Sequence, residues 1–195
     1  MIALIGKTCA GKDTILAEMI SRFDYKPVVT YTTRPARDGE IDGVHYHFID
    51  KSQFRRMKLQ GFFAETTSYD VASGGTWYYG TRVKDLNDDS IIIVNPEGLR
   101  ELKKNKNLNI VSFLITASED TLRKRLSKRG DNPKEAERRL ESDRKDFADV
   151  LDLVDFSFSN DLGINICHIA NLIHTIYHYT DIGSENYRRK WLENN

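Results

Sequence analysis

Apolar positions along the chain alternate between short continuous runs and helical stripes. Ile2-Ala3-Leu4-Ile5 is a run of four that stops at Gly6, the pattern of a buried strand. Residues 12–23 then carry Ile15, Leu16, Met19 and Ile20 at helical spacing. Further strand-like runs lie at 27–31, 90–94 and 108–115, with a shorter one at Phe156-Ser157-Phe158. Helical patterns follow at about 96–104, 118–128 and 162–178. The runs at 90–94 and 108–115 are apolar almost throughout, as in strands covered on both faces. Strand and helix in alternation predict an α/β fold of three layers, a parallel sheet with helices on both faces.

Two stretches depart from that alternation. Residues 38–81 are rich in Gly, Tyr, Phe and Thr, with short β-like pieces at 44–49, 62–66 and 76–79, which predicts a small inserted β lobe. Residues 127–147 are densely charged and predict a mobile helical lid. The polar tail from 180 to 195 offers Tyr187 and Trp191 as docking points.

The chain has 195 residues, the size of one domain. Lys and Arg number 29, as do Asp and Glu, so the formal net charge is zero. That argues against a general nucleic-acid binder, which carries a basic excess, though not against a local basic pocket. With 39% hydrophobic residues the chain holds enough apolar material for a core and too much for a disordered segment. No apolar run approaches the roughly 18 to 20 residues that span a bilayer, and the opening run is too short for a signal peptide. Cys9 and Cys167 are far apart and suggest no disulfide framework. The expected setting is reducing and cytoplasmic, without membrane or nucleic-acid partners.

The first strand runs into Gly6-Lys7-Thr8-Cys9-Ala10-Gly11-Lys12-Asp13-Thr14, which fits G-x-x-x-x-G-K between a strand and a helix. Glycines let the backbone wrap a phosphate with its N–H groups inward. The helix N-terminus adds positive potential, and Lys12 supplies a point charge to the terminal phosphates of a nucleotide. The position after the lysine, which commonly offers Mg²⁺ a hydroxyl, is Asp13, and Thr14 carries the next hydroxyl. Either is a candidate metal-side residue. Cys9 fits a small filler, and His45 and His47 lack the further ligands of a metal site.

Residues 30–48 place Arg34 and Arg37 three apart among threonines and tyrosines. Guanidinium forks with a tyrosine hydroxyl make an oxyanion clamp. Together with the phosphate loop, this stretch resembles the guanylate kinase family. The pattern T-T-R-x-x-R-x-G-E-x-x-G-x-x-Y-x-F stands as Thr32-Thr33-Arg34, Arg37, Gly39-Glu40, Gly43, Tyr46 and Phe48. The resemblance runs from residue 2 to about 178. It implies one domain over 1–195: a core of 1–33 and 82–178, a nucleoside-monophosphate lobe at 34–81, a lid at about 127–147 and a tail at 179–195.

The family's activity, phosphoryl transfer from ATP to GMP with Mg²⁺, is implied in turn, for a monomer or homodimer. On that resemblance Arg34, Arg37, Tyr46 and Tyr79 hold the GMP phosphate. Glu65 accepts from the guanine N1–H and N2–H, Thr30 and Thr81 lie beside the base, and Asn95 lies near the metal and the acceptor in the GMP site. Residues 6–14, with Arg125 and Asn160, bind ATP. Lys12, Arg34, Arg125, Arg129 and Arg139 act on the transferring group.

Three features depart from the family. Residues 66–77 form a longer segment with a Ser73-Gly74-Gly75 tip, and Asn95 stands where an aspartate is usual. Asp13 is the third, and Asp13 and Asn95 suggest one carboxylate moved across the site. Kinases of ribose bisphosphate are also similar, in Gly11-Lys12-Asp13-Thr14 and Val94-Asn95, which leaves another phosphorylated acceptor open. A non-catalytic phosphopeptide-binding module of the same fold is a third reading, against which Lys12 and the lid arginines stand.

Overall fold

The computed structural model describes residues 1–70, 74–130 and 132–181. Its first sheet joins β1 (Ile2–Ile5), β2 (Lys26–Pro27), β7 (Ser90–Ile93), β8 (Val111–Thr116) and β9 (Phe156–Ser159) in the order β2-β7-β1-β8-β9. All its pairings are parallel. Strand side chains alternate, so β1 feeds two cores. Ile2 and Leu4 pack with α1 (Lys12–Phe23), α4 (Glu119–Arg129), α5 (Pro133–Asp146) and α6 (Ile166–Asp181). Ala3 and Ile5 pack with Leu99 and Leu102 of α3 (Pro96–Lys104) on the other face. The sheet covered on both sides is the three-layer arrangement that the apolar runs predict.

The second sheet has the order β4-β3-β6-β5, from β3 (Tyr31–Thr32), β4 (His47–Phe48), β5 (Phe63–Asp70) and β6 (Thr76–Arg82). Its long members pair antiparallel, Glu65 opposite Thr81, Thr67 opposite Tyr79 and Tyr69 opposite Trp77. Beside it lies α2 (Lys51–Leu59), whose Phe54 ring stacks on Phe63 at 4.7 Å and packs near Tyr78 at 5.5 Å.

Three local expectations change. The run at 27–31 is not one strand: Lys26–Pro27 joins the first sheet and Tyr31–Thr32 the second, so one apolar stretch serves two sheets. The inserted segment is not β alone, because α2 forms behind a capping box in which Asp50 accepts from the Gln53 amide and Gln53 reaches back to the Asp50 N–H. The last helix starts at Ile166, four residues after the predicted start. Tyr187 and Trp191 lie outside the described residues, as do residues 71–73. No helix among the described residues is long and apolar enough to cross a membrane.

Candidate functional site

The phosphate loop is built by close approach. A side chain at Gly6 would put its Cβ 2.4 Å from the Ile115 carbonyl oxygen of β8. At Gly11 it would meet the Asn160 amide at 2.2 Å, on a backbone with φ of 99° that L side chains rarely adopt. The loop is held from behind: Asn160, buried, donates to the Ala10 carbonyl at 2.8 Å, and Arg125 donates to the carbonyls of Cys9, Ala10 and Asn160 at 3.1, 3.3 and 2.8 Å. Arg125 and Asn160, both expected at the ATP, therefore brace the loop backbone, and one Arg125 nitrogen ties the two braces together.

Helix α1 begins on Gly11 without a side-chain cap, whereas α2, α3, α4 and α5 begin on capping Asp50, Asn95, Ser118 and Asn132. The first amides of α1 are thus left for a ligand, with the positive end of the helix behind them. Lys12 folds over the loop and donates to the Gly6 and Lys7 carbonyls at 2.7 and 3.0 Å. Burial draws its ammonium below the ordinary lysine range, against the opposing pull of Asp13 and Asp143. Asp13 and Thr14 are exposed on the first turn, and Cys9, at φ 60°, packs partly against the core.

The clamp stands on the second sheet. Arg34 is buried and ion-paired to Glu40 at 2.8 Å, and its guanidinium lies over the rings of Tyr46 and Phe48 at 5.2 and 5.7 Å. Burial works against that charge, but the Glu40 hydrogen bond together with the electrostatic pull of Tyr79, Glu40 and Tyr46 outweighs it, so the guanidinium is held above its ordinary range. Glu40 also accepts from the Arg37 backbone amide at 2.7 Å, so one carboxylate sets the turn and the fork together. The Arg37 side chain is exposed. Tyr46 and Tyr79 meet edge-on at 6.1 Å. Asp13 acts electrostatically on both Lys12 of the loop and Tyr46 of the clamp.

Cross-strand register makes the next contact. Glu65 and Thr81 are opposite on β5 and β6, both buried, and the Thr81 hydroxyl donates to Glu65 Oε1 at 2.6 Å. Glu65 Oε2 lies against the first turn of α3, 3.1 Å from where a Gly98 Cβ would stand. Burial pushes the Glu65 carboxyl up to about 7, only partly offset by Thr81. Asn95 uses its oxygen to cap α3 at Gly98 and its amide nitrogen to reach the Tyr69 hydroxyl at 2.5 Å. Tyr69 in turn packs edge-on to Tyr79 at 5.6 Å. Thr30, just before β3, is half-buried and accepts from the His47 amide through its carbonyl.

The charged helices contribute unevenly. Arg129 is near enough to oppose the charge on Lys12. Arg139 donates to Glu135 within α5 at 2.9 Å. Arg123 and Arg144 belong to a surface network with Glu119, Glu137 and Glu141. Two carboxylates that sequence reasoning did not assign to the site shape it: Glu40 under the clamp and Asp143, which accepts from the Thr8 amide at 2.6 Å. Glu40 has a local signal, its place three residues after Arg37. Asp143 has none, because its contact with the loop is made only by the docking of α5.

A phosphate loop on a parallel sheet and an arginine–tyrosine clamp on an inserted sheet define a phosphate-loop kinase of a phosphorylated acceptor. The comparisons with known proteins agree. The guanylate kinase family profile matches residues 1–174. A guanylate kinase of Syntrophus aciditrophicus is 35% identical over 151 residues, 76% of this chain and 73% of that one. One of Carboxydothermus hydrogenoformans is 36% identical over 145 residues, 69% and 67% of the two chains. The crystal structure of guanylate kinase from Anaplasma phagocytophilum superposes with a TM-score of 0.72 at 22% identity, over 100% of this chain and 94% of that one. The chain belongs to the guanylate kinase family.

Proposed function

We propose that the protein transfers the γ-phosphoryl group of ATP to GMP or dGMP, giving ADP and GDP or dGDP. The observation that carries the choice of acceptor is the buried Glu65–Thr81 pair at the end of the clamp strands. Guanine presents two adjacent donors, N1–H and N2–H, and an ionised carboxylate accepts both. Adenine lacks that edge.

In the reaction an oxygen of the GMP phosphate bonds to the γ-phosphorus. The bond from that phosphorus to the β,γ-bridging oxygen breaks, and ADP leaves with the electron pair. The protein's part is positioning and charge neutralisation. Arg34, Arg37, Tyr46 and Tyr79 hold the acceptor phosphate, Thr30 and Thr81 flank the base, and Asn95 lies near the acceptor. The loop 6–14 holds the donor phosphates with Lys12 among them, and Arg125 and Asn160 keep that loop in shape. Arg129 and Arg139, on the proposed lid at about 127–147, add charge and exclude water.

The donor set suits Mg²⁺ arriving on the nucleotide. No group of three or more His, Cys, Asp or Glu among the described residues is placed to hold a metal ion by itself. Asp13 or the Thr14 hydroxyl would supply the protein ligand that Mg²⁺ takes alongside phosphates and waters. When bound, the ion withdraws charge from the phosphate oxygens. Both cysteines are free thiols, which supports a cytoplasmic setting.

The test is a coupled ADP-release assay with GMP, dGMP, AMP and ribose bisphosphate as acceptors. Turnover with GMP and dGMP and none with AMP is expected. Turnover confined to ribose bisphosphate overturns the reading.

A further inference from the structure

One amide of the phosphate loop is already bonded to a carboxylate of the chain itself. Leu140 of α5 is buried in the core at 3% exposure, which fixes the side that α5 turns inward. Asp143 follows three residues later on that side, one helical turn along. Its Oδ2 accepts from the Thr8 amide at 2.6 Å, and its charge acts on Lys12. Lys12 meanwhile spends its hydrogen bonds on the carbonyls of Gly6 and Lys7. The loop's cation and one of its inward amides are both engaged by groups of the protein.

We infer that Asp143 is a resident competitor of the donor phosphates: a lid carboxylate that fills part of the phosphate loop and must withdraw, with α5, when a nucleoside triphosphate enters. The inference rests on the reading of this loop as the ATP site. A phosphate oxygen and a carboxylate oxygen make the same charge-assisted bond to a backbone N–H, and one N–H does not serve both. A carboxylate left beside the bound phosphates would also repel them. Docking of α5 and binding of the donor are therefore opposed, so ATP draws Asp143 away from the loop and its departure frees the helix that carries Arg139.

The consequence has an unusual sign. Removing a residue that touches the donor site strengthens binding. If the engaged state outweighs the withdrawn one about ten to one, apparent affinity is lowered about tenfold. The experiment is titration calorimetry of ATP, ADP and adenosine on the full chain, without acceptor, for the wild type, Asp143→Ala, Asp143→Asn and Lys12→Ala. Asp143→Asn keeps the side-chain shape and guards against a folding artefact in the alanine variant, and thermal melts confirm that each variant is folded.

The expected result is a Kd for ATP about tenfold lower in Asp143→Ala and lowered in the same direction in Asp143→Asn. Adenosine, which brings no phosphate, binds all of them alike. ATP binding unchanged or weakened in both Asp143 variants overturns the inference and makes the residue a structural or ligand-binding one. ATP binding unaffected by Lys12→Ala overturns the donor-site reading, and the inference with it.

Discussion

Glu65 offers the sharpest test, because its two roles pull against each other. Its carboxyl rises from 4.5 to about 7, mainly because it is buried. A carboxyl with a raised folded pKa holds more protons folded than unfolded between those values. Its contribution to stability is therefore complete below about pH 4.5 and is lost as pH climbs through about 7. Between pH 5 and pH 8 the loss amounts to about 2.5 kcal/mol. Glu65→Gln keeps the shape and an oxygen for the Thr81 hydroxyl but does not titrate. Urea unfolding of both proteins at the two pH values isolates the effect: relative to the variant, the wild type should be about 2.5 kcal/mol less stable at pH 8 than at pH 5. In activity the sign reverses. Guanine needs the carboxylate, and with a pKa of about 7 its fraction rises about tenfold from pH 6 to pH 8. The KM for GMP should fall by about that factor while the KM for ATP stays level, and Glu65→Gln should lose GMP at every pH. A wild-type-minus-variant stability difference that is the same at pH 5 and pH 8 refutes the burial argument. A GMP KM that ignores both pH and the substitution refutes the guanine contact.

Arg34→Lys removes a fork that pairs with Glu40 and lies over two rings, and steady-state kinetics should show the KM for GMP rising on the order of tenfold or more with little change for ATP. Tyr69→Phe leaves the Asn95 amide nitrogen without its partner at the lobe–core junction. A cost of about 1 kcal/mol in urea unfolding is expected, with the KM for GMP shifted more than that for ATP. Gly11→Ala sets a methyl against Asn160 on left-handed backbone, so a loss of about 2 kcal/mol or more is expected together with a collapse of ATP affinity in calorimetry. Asn160→Ala removes the brace on the Ala10 carbonyl and should lower stability by about 1–3 kcal/mol and weaken ATP, without altering the KM for GMP.

What the sequence discloses about this site divides by the range of the interaction. Gly6 to Lys12 is legible because strand, turn and helix are contiguous and the glycines answer to local geometry. Arg34, Arg37 and Glu40 are legible as a set because one turn joins them. The capping box at Asp50 and Gln53 was equally local and announces α2, yet the surrounding β-like composition masks it. The run at 27–31 misleads for a different reason: periodicity reports burial, not which of two sheets provides it. β5 extends to Asp70, beyond the predicted piece at 62–66, because pairing with β6 continues through Thr67 to Asp70 without the apolar alternation that marks a strand. Arg125 and Asp143 lie beyond any local reading. Each is one charged residue among many on a charged helix, and only the packing of α4 and α5 aims it at the loop.

The same packing changes the meaning of the zero net charge. A basic cleft walled off from acidic surface would satisfy the sum, but the structure compensates its cations within the site. Arg34 has Glu40, Arg139 has Glu135, and Lys12 has Asp13 and Asp143 near it. A buried guanidinium without a partner carries a desolvation penalty of several kcal/mol, so a clamp that must exist before its substrate arrives needs a resident carboxylate. Glu40 is a stable solution, since it also fixes the Arg37 turn and can stay while phosphate binds the other side of the fork. Asp143 is a different solution, because it accepts from an amide of the loop itself. The first carboxylate organises a clamp from behind, and the second bonds an amide of the loop that the proposed donor phosphates would use. Compensation is thus made within the site at particular cations, and where such a pair must open, substrate phosphate takes over from a carboxylate.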